Sequence, residues 1–180
     1  MKIFLDTTSD FLVYFLFDKD FRLIDKQIIK ESKKVELLAN IIEKSLEKNK
    51  IKISQITDFY LNLGPGYFTG CRISLVYVRT ICQLTNANIW TTNTFSLLSF
   101  TNKKEETYYI NSSGLHFFSA SAKQGKLTSD VIQVLKENKE LSQVDYELIS
   151  FNFEAFSKIF QLETNILTIQ PFYTKEPSGV

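Results

Sequence analysis

Apolar residues in this chain fall first into short blocks and later take up a helical period. Residues 2–7, 11–18 and 22–30 are three such blocks, with polar turns at Asp6-Thr7-Thr8-Ser9 and Lys19-Asp20. Blocks of that length bounded by turn residues read as strands. The spacing then changes, and residues 33–48 read as a helix with Ser32 as its N-cap. Val35, Leu38, Ala39, Ile42 and Leu46 share one face, and Leu37 and Ile41 make a second ridge beside it. Residues 58–63 form another strand. After a glycine-rich turn, a helix runs to about Asn86. Ile73, Tyr77, Thr80, Ile81 and Leu84 line one side of it, and Cys71, Leu75, Val78 and Cys82 the nearly opposite side. A helix lying on one sheet needs a single apolar face. The second is covered either by the chain itself or by a partner.

Further on, residues 87–92 read as a strand and 94–100 as a short helix capped by Thr94. Residues 107–111 and 115–122 make a hairpin around Ser112-Ser113-Gly114. A helix over 128–138, a strand over 146–151, a helix over 154–160 and a last strand over 166–173 complete the reading. The division expected from this order is an N-terminal lobe, 1–100, and a shorter C-terminal lobe, 101–180.

Composition narrows the function. With 180 residues and 44% apolar content the chain can bury a core, and its formal charge is only +1. Its 21 basic residues are dispersed, so no stretch reads as a nucleic-acid footprint. The longest apolar run, Phe11 to Phe17, is far too short to span a bilayer, and the expectation is a soluble cytoplasmic protein without membrane contact. Cys71 and Cys82 stand eleven residues apart on one helix, about 16 Å along its axis, and cannot bridge each other. His116 is the single histidine, which excludes any two-histidine metal motif.

The densest local signal is Gly64-Pro65-Gly66-Tyr67-Phe68-Thr69-Gly70, followed by Cys71-Arg72-Ile73. It holds three of the six glycines and joins a strand to a helix that Thr69 could cap. It is not a P-loop, because five residues rather than four lie between Gly64 and Gly70 and cysteine replaces the lysine. Thr69 also breaks a dinucleotide fingerprint.

The run resembles the Gly-Pro-Gly-Ser-Phe-Thr-Gly-Leu-Arg-Ile-Gly signature of the TsaB (YeaZ) family. Gly64, Pro65, Gly66, Phe68, Thr69, Gly70, Arg72 and Ile73 match, while Tyr67, Cys71 and Ser74 depart. Asp6-Thr7 corresponds to the family's Asp-Thr-Ser. Pro171-Phe172-Tyr173-Thr174-Lys175 resembles its closing Pro-x-Tyr-Leu-Arg segment. Lys33-Lys34 stands where the family has His-Ser, and Ile110-Asn111-Ser112-Ser113 where it has an Asp-Ala-Arg-type segment.

The resemblance implies an α/β actin-like ATPase (ASKHA, ribonuclease H-like) fold with a reduced second lobe. It implies a scaffold without catalytic residues, metal or cofactor. Such a scaffold pairs with a TsaD-type paralogue, joined by a TsaE-type ATPase, and the assembly carries threonylcarbamoyl to the adenosine beside the anticodon. Contact with tRNA is then only through the complex. The first two helices are the family's pairing surface, so Leu37, Ile41, Leu75, Val78 and Cys82 are the expected interface, with a homodimer in isolation. The alternative is an ATPase or phosphotransferase in which Asp6 holds Mg²⁺ through water and Ser113-Gly114 serves as a second phosphate loop.

Overall fold

A computed structural model describes residues 1–112 and 114–172. Strands β1 (Lys2–Asp6), β2 (Phe11–Phe17) and β3 (Leu23–Lys30) form an antiparallel meander. Helix α1 (Lys34–Lys48) then crosses to β4 (Asp58–Asn62), which pairs parallel to β1. Helix α2 (Phe68–Thr85) crosses in the same way to β5 (Asn88–Thr92), parallel to β4. After α3 (Thr94–Ser99), a second sheet is built from β6 (Glu106–Asn111), β7 (His116–Lys123), β8 (Lys126–Leu127) and β9 (Ile132–Leu135). The chain then returns to the first sheet through α4 (Tyr146–Phe151), α5 (Phe153–Phe156) and β10 (Gln161–Leu162). The first sheet has the order β10-β5-β4-β1-β2-β3.

Both faces of this sheet are covered, which is why β2 reads Phe-Leu-Val-Tyr-Phe-Leu-Phe without alternation. Ile3, Leu5, Leu12, Leu16, Phe59 and Leu61 pack against Leu38, Ile42 and Leu46 of α1 and Leu75, Val78 and Cys82 of α2. On the other face, Phe4, Phe15, Phe17 and Tyr60 meet Ile149, Phe153, Phe156 and Phe160. Phe153 stacks on Phe17 with ring centroids 4.6 Å apart and meets Tyr60 edge-on at 5.2 Å. A third cluster joins Phe95 of α3 to Tyr108, Ile110, Ala120 and Ala122 of the second sheet.

The structure corrects several expectations. Residues 132–135 form a strand rather than part of a helix, because β7 supplies a long-range edge to pair with. Residues 146–151 form a helix rather than a strand. Asp145 caps it by accepting from the Leu148 N–H, and Tyr146, Ile149 and Phe153 recur at helical spacing. Residues 166–172 form no strand, although Ile169 is buried and the Phe172 N–H donates to Leu63. Tyr173, Thr174 and Lys175 lie outside the described residues, as does Ser113. Of the segments expected in the C-terminal lobe, α4 and α5 pack on the first sheet and β10 pairs with β5 within it. The caps shift too. Ser32 makes no cap to α1, and the Glu31 carboxylate takes the Ser32 and Lys33 N–H groups instead. Thr69 lies inside the first turn of α2, and Asn93, one residue before Thr94, caps α3.

Candidate functional site

The end of β1 and the turn after β4 lie against each other because β1 and β4 are parallel neighbours. Asp6 is the last residue of β1 and is fully buried. One of its carboxylate oxygens accepts from the Thr8 N–H at 2.8 Å and the Thr8 hydroxyl at 2.7 Å. The other accepts from Asn62 Nδ2 at 2.8 Å and the Tyr146 hydroxyl at 2.9 Å. Four donors therefore meet the four lone-pair directions of a carboxylate. Burial, then the Asp6 charge, pushes the Tyr146 phenol well above its ordinary pKa, so it stays a protonated donor.

The network extends into the glycine turn. Asn62 Oδ1 accepts from the Gly64 N–H at 3.0 Å, the Thr94 hydroxyl donates to the Pro65 carbonyl at 2.8 Å, and the Tyr67 N–H donates to the Thr8 carbonyl at 2.8 Å. Gly64 has φ +101°, a backbone conformation that side chains resist. Gly66 and Gly70 answer a different need. A Cβ on Gly66 would run into the Thr8 carbonyl, and one on Gly70 into the Thr7 carbonyl. The two turns are in direct backbone contact. The Thr7 hydroxyl donates to the Gly70 carbonyl at 2.6 Å and reaches Ser74 Oγ at 3.2 Å.

From behind, Lys34 of α1 sends its ammonium to the Thr7 carbonyl at 3.1 Å and to the Ser9 carbonyl. Burial lowers its pKa, and the charges of Asp6 and Asp10 oppose that drop. Burial likewise pushes the Cys71 thiol up to about 12, which makes it a packing group rather than a nucleophile.

Asp6, Thr7, Gly64, Pro65, Gly66 and Gly70 thus come together as one unit. Phe68, Thr69 and Arg72 stand outside it on the exposed first turn of α2, where the Arg72 guanidinium lies 3.9 Å from the Phe68 ring centroid. The interface expectation is corrected on α2. Leu75, Val78 and Cys82 are buried on the sheet inside the monomer, and Val78 is 0% exposed. Leu37 and Ile41 of α1 are half-buried against the same core. The side of α2 that faces outward is the other one. Val76 is 60% exposed and Leu84 82%, and Val76 and Val35 of α1, the latter at 65%, flank an apolar groove of about 500 Å³. Ile73, Tyr77 and Thr80 line that groove.

Sequence reasoning missed Asn62, Thr8, Thr94, Lys34 and Tyr146. Asn62 carried a signal, being an amide at the end of an otherwise apolar strand just before glycine. Tyr146 carried none, because its partner lies 140 residues away.

No family model matches the chain. It is 31% identical, over a 193-residue alignment, to the uncharacterized protein MG208 of Mycoplasma genitalium; the match covers 98% of this chain and 95% of that protein. The chain belongs to the MG208 family. Among solved structures, it superposes on an uncharacterized protein with similarity to peptidase YeaZ from Pseudomonas aeruginosa. That match has a TM-score of 0.71 and 14% identity, and covers 97% of this chain and 99% of the other. YeaZ from Pseudomonas aeruginosa itself matches at TM-score 0.63 and 14% identity over 79% of this chain and 71% of that one. This member of the MG208 family therefore has the YeaZ fold, an α/β fold of the actin-like ATPase type. Among the described residues no helix is long and apolar enough to cross a membrane.

Proposed function

We propose that this protein is a TsaB-type (YeaZ) subunit without chemistry of its own, which pairs with a TsaD-type paralogue in the assembly that transfers threonylcarbamoyl to the adenosine beside the anticodon of tRNA. The observation that carries the reading is the self-satisfied Asp6 carboxylate. With Thr8, Asn62 and Tyr146 holding both oxygens, no lone pair is left over for a metal-bound water. The first turn is also packed on Gly66 and Gly70, where a phosphate-binding member of this fold would leave room for a ligand. The glycine motif and the YeaZ fold support the same assignment.

Under this reading the paralogue sits on the outward face of the first two helices. Val35, Ile73, Val76, Tyr77 and Leu84 replace the buried residues expected from the sequence. A second copy holds that face when the paralogue is absent. A TsaE-type ATPase joins the pair, tRNA is reached only through the complex, and the assembly works in the cytoplasm. The test is to mix the purified chain with the paralogue and follow the mass of the eluting species by light scattering, with ATP turnover of the chain alone measured alongside. A stable one-to-one complex and no turnover are expected. Absence of a complex, or turnover by the isolated chain that Asp6→Asn abolishes, would overturn the reading.

A further inference from the structure

We infer that the cleft between the two sheets is a binding site for a small organic cation, an ammonium carried on an apolar body. The cleft lies over the closed turn and encloses about 80 Å³. By the space one water needs, that is room for about six waters, or one small alkyl- or arylammonium ion. Its walls are mainly apolar, from Phe11, Ile110, Val144 and the Tyr146 ring. Phe11 and Tyr146 meet edge to face at 6.3 Å and form a continuous aromatic wall. Such a wall favours an apolar body and presents ring faces to a cation.

The polar groups at the mouth set the sign of the charge. Asp10 is exposed, lines the cleft, and among the described residues makes no salt bridge. The Tyr67 hydroxyl accepts from Asn111 Nδ2 at 3.1 Å, and the Asp10 charge acts on that phenol from the same side of the cleft. Among the described residues no lysine or arginine lines the cleft. The Lys34 ammonium is held behind the turn by the Thr7 and Ser9 carbonyls. A phosphate or carboxylate entering here would meet a carboxylate and carbonyl oxygens, whereas a cation would meet an acceptor at the mouth and rings within.

The probe is benzylammonium chloride, titrated into the full chain and followed by amide NMR shifts, with benzyl alcohol and sodium benzoate as neutral and anionic counterparts. Saturable binding of benzylammonium is expected, with shifts at residues 8–11, 110–111 and 141–146. Benzyl alcohol should bind at least about tenfold more weakly and benzoate not at all. Asp10→Asn, at an exposed position, should weaken benzylammonium by about two- to fivefold while leaving the fold intact. Val144→Trp should fill the cleft and abolish binding of every probe. The inference is overturned if benzylammonium fails to saturate, if benzyl alcohol matches it, if Asp10→Asn binds it unchanged, or if the shifts map elsewhere.

Discussion

Asn62 shows how one side chain can hold two loops and a carboxylate at once. Its amide donates to Asp6, Thr8 and Thr94 and accepts from the Gly64 N–H, all in a fully buried setting. Removing it leaves a buried carboxylate short of a donor, which costs more than an exposed hydrogen bond would. Asn62→Ala should lower the unfolding free energy by about 3 kcal/mol in a urea titration. A loss below about 1 kcal/mol would mean that water takes over the amide's place. The glycines behave differently from one another. Gly64 is required by its φ, whereas Gly66 is required by contact with Thr8. Gly66→Ala should therefore destabilise by about 2 kcal/mol through overpacking against a carbonyl that cannot move alone. An unchanged melting temperature would show that the two turns can part at little cost.

At the scale of elements, α2 presents two faces with opposite roles. Val78 is wholly inside the first core and Val76 faces outward. Val78→Glu should yield a protein that does not fold, since an unpaired charge would lie on the sheet. Val76→Glu should fold with the native melting temperature and fail to pair with the paralogue in a pull-down. Pairing by folded Val76→Glu would move the interface off this groove.

The amino ends of β4 and β5 are tied in a similar local way. Burial works to raise the Asp58 pKa. Bonds from Trp90, Thr57 and Asn88, together with Lys2, outweigh it and hold the carboxyl below its usual range. A depressed carboxylate contributes stability above the unfolded-state pKa of about 4 and loses it as the pH falls through the lower folded value. The native protein should then lose its stability advantage over Asp58→Asn as acid is added from about pH 5 downward. Parallel stability curves for the two would show that the carboxylate contributes nothing there.

For the whole molecule, the decisive feature is the return of the chain to its first sheet. Phe153 is 1% exposed and packs among Phe4, Phe17, Phe21, Tyr60 and Phe160. This aromatic layer, with the Tyr146 bond to Asp6, fastens α4, α5 and Phe160 to the first strands. Phe153→Ala should cost about 4 kcal/mol, and the loss should appear as one cooperative transition, because the cavity lies in a layer shared by both ends of the chain. A separate early transition confined to α4 and α5 would show that the returning segment is an independent unit.

Much of this was legible along the sequence itself. The first three strands, the two crossover helices and β4 and β5 follow from block length and helical spacing, because their partners lie nearby and their patterns are long. The glycine run announced a strand-to-helix turn with permissive backbone, and only the fold showed that turn packed against Thr7 and Thr8 beside Asp6. Tertiary structure decided the rest. Periodicity gave α2 two apolar faces, and only the sheet could choose Leu75, Val78 and Cys82 over Ile73, Val76 and Tyr77 for burial. Residues 132–135 and 146–151 are too short for period to separate helix from strand, so a free edge on β7 made one a strand and an aromatic layer made the other a helix. The Asp6 network was beyond local reading, for its donors come from positions 8, 62 and 146 and meet only once the chain has folded back.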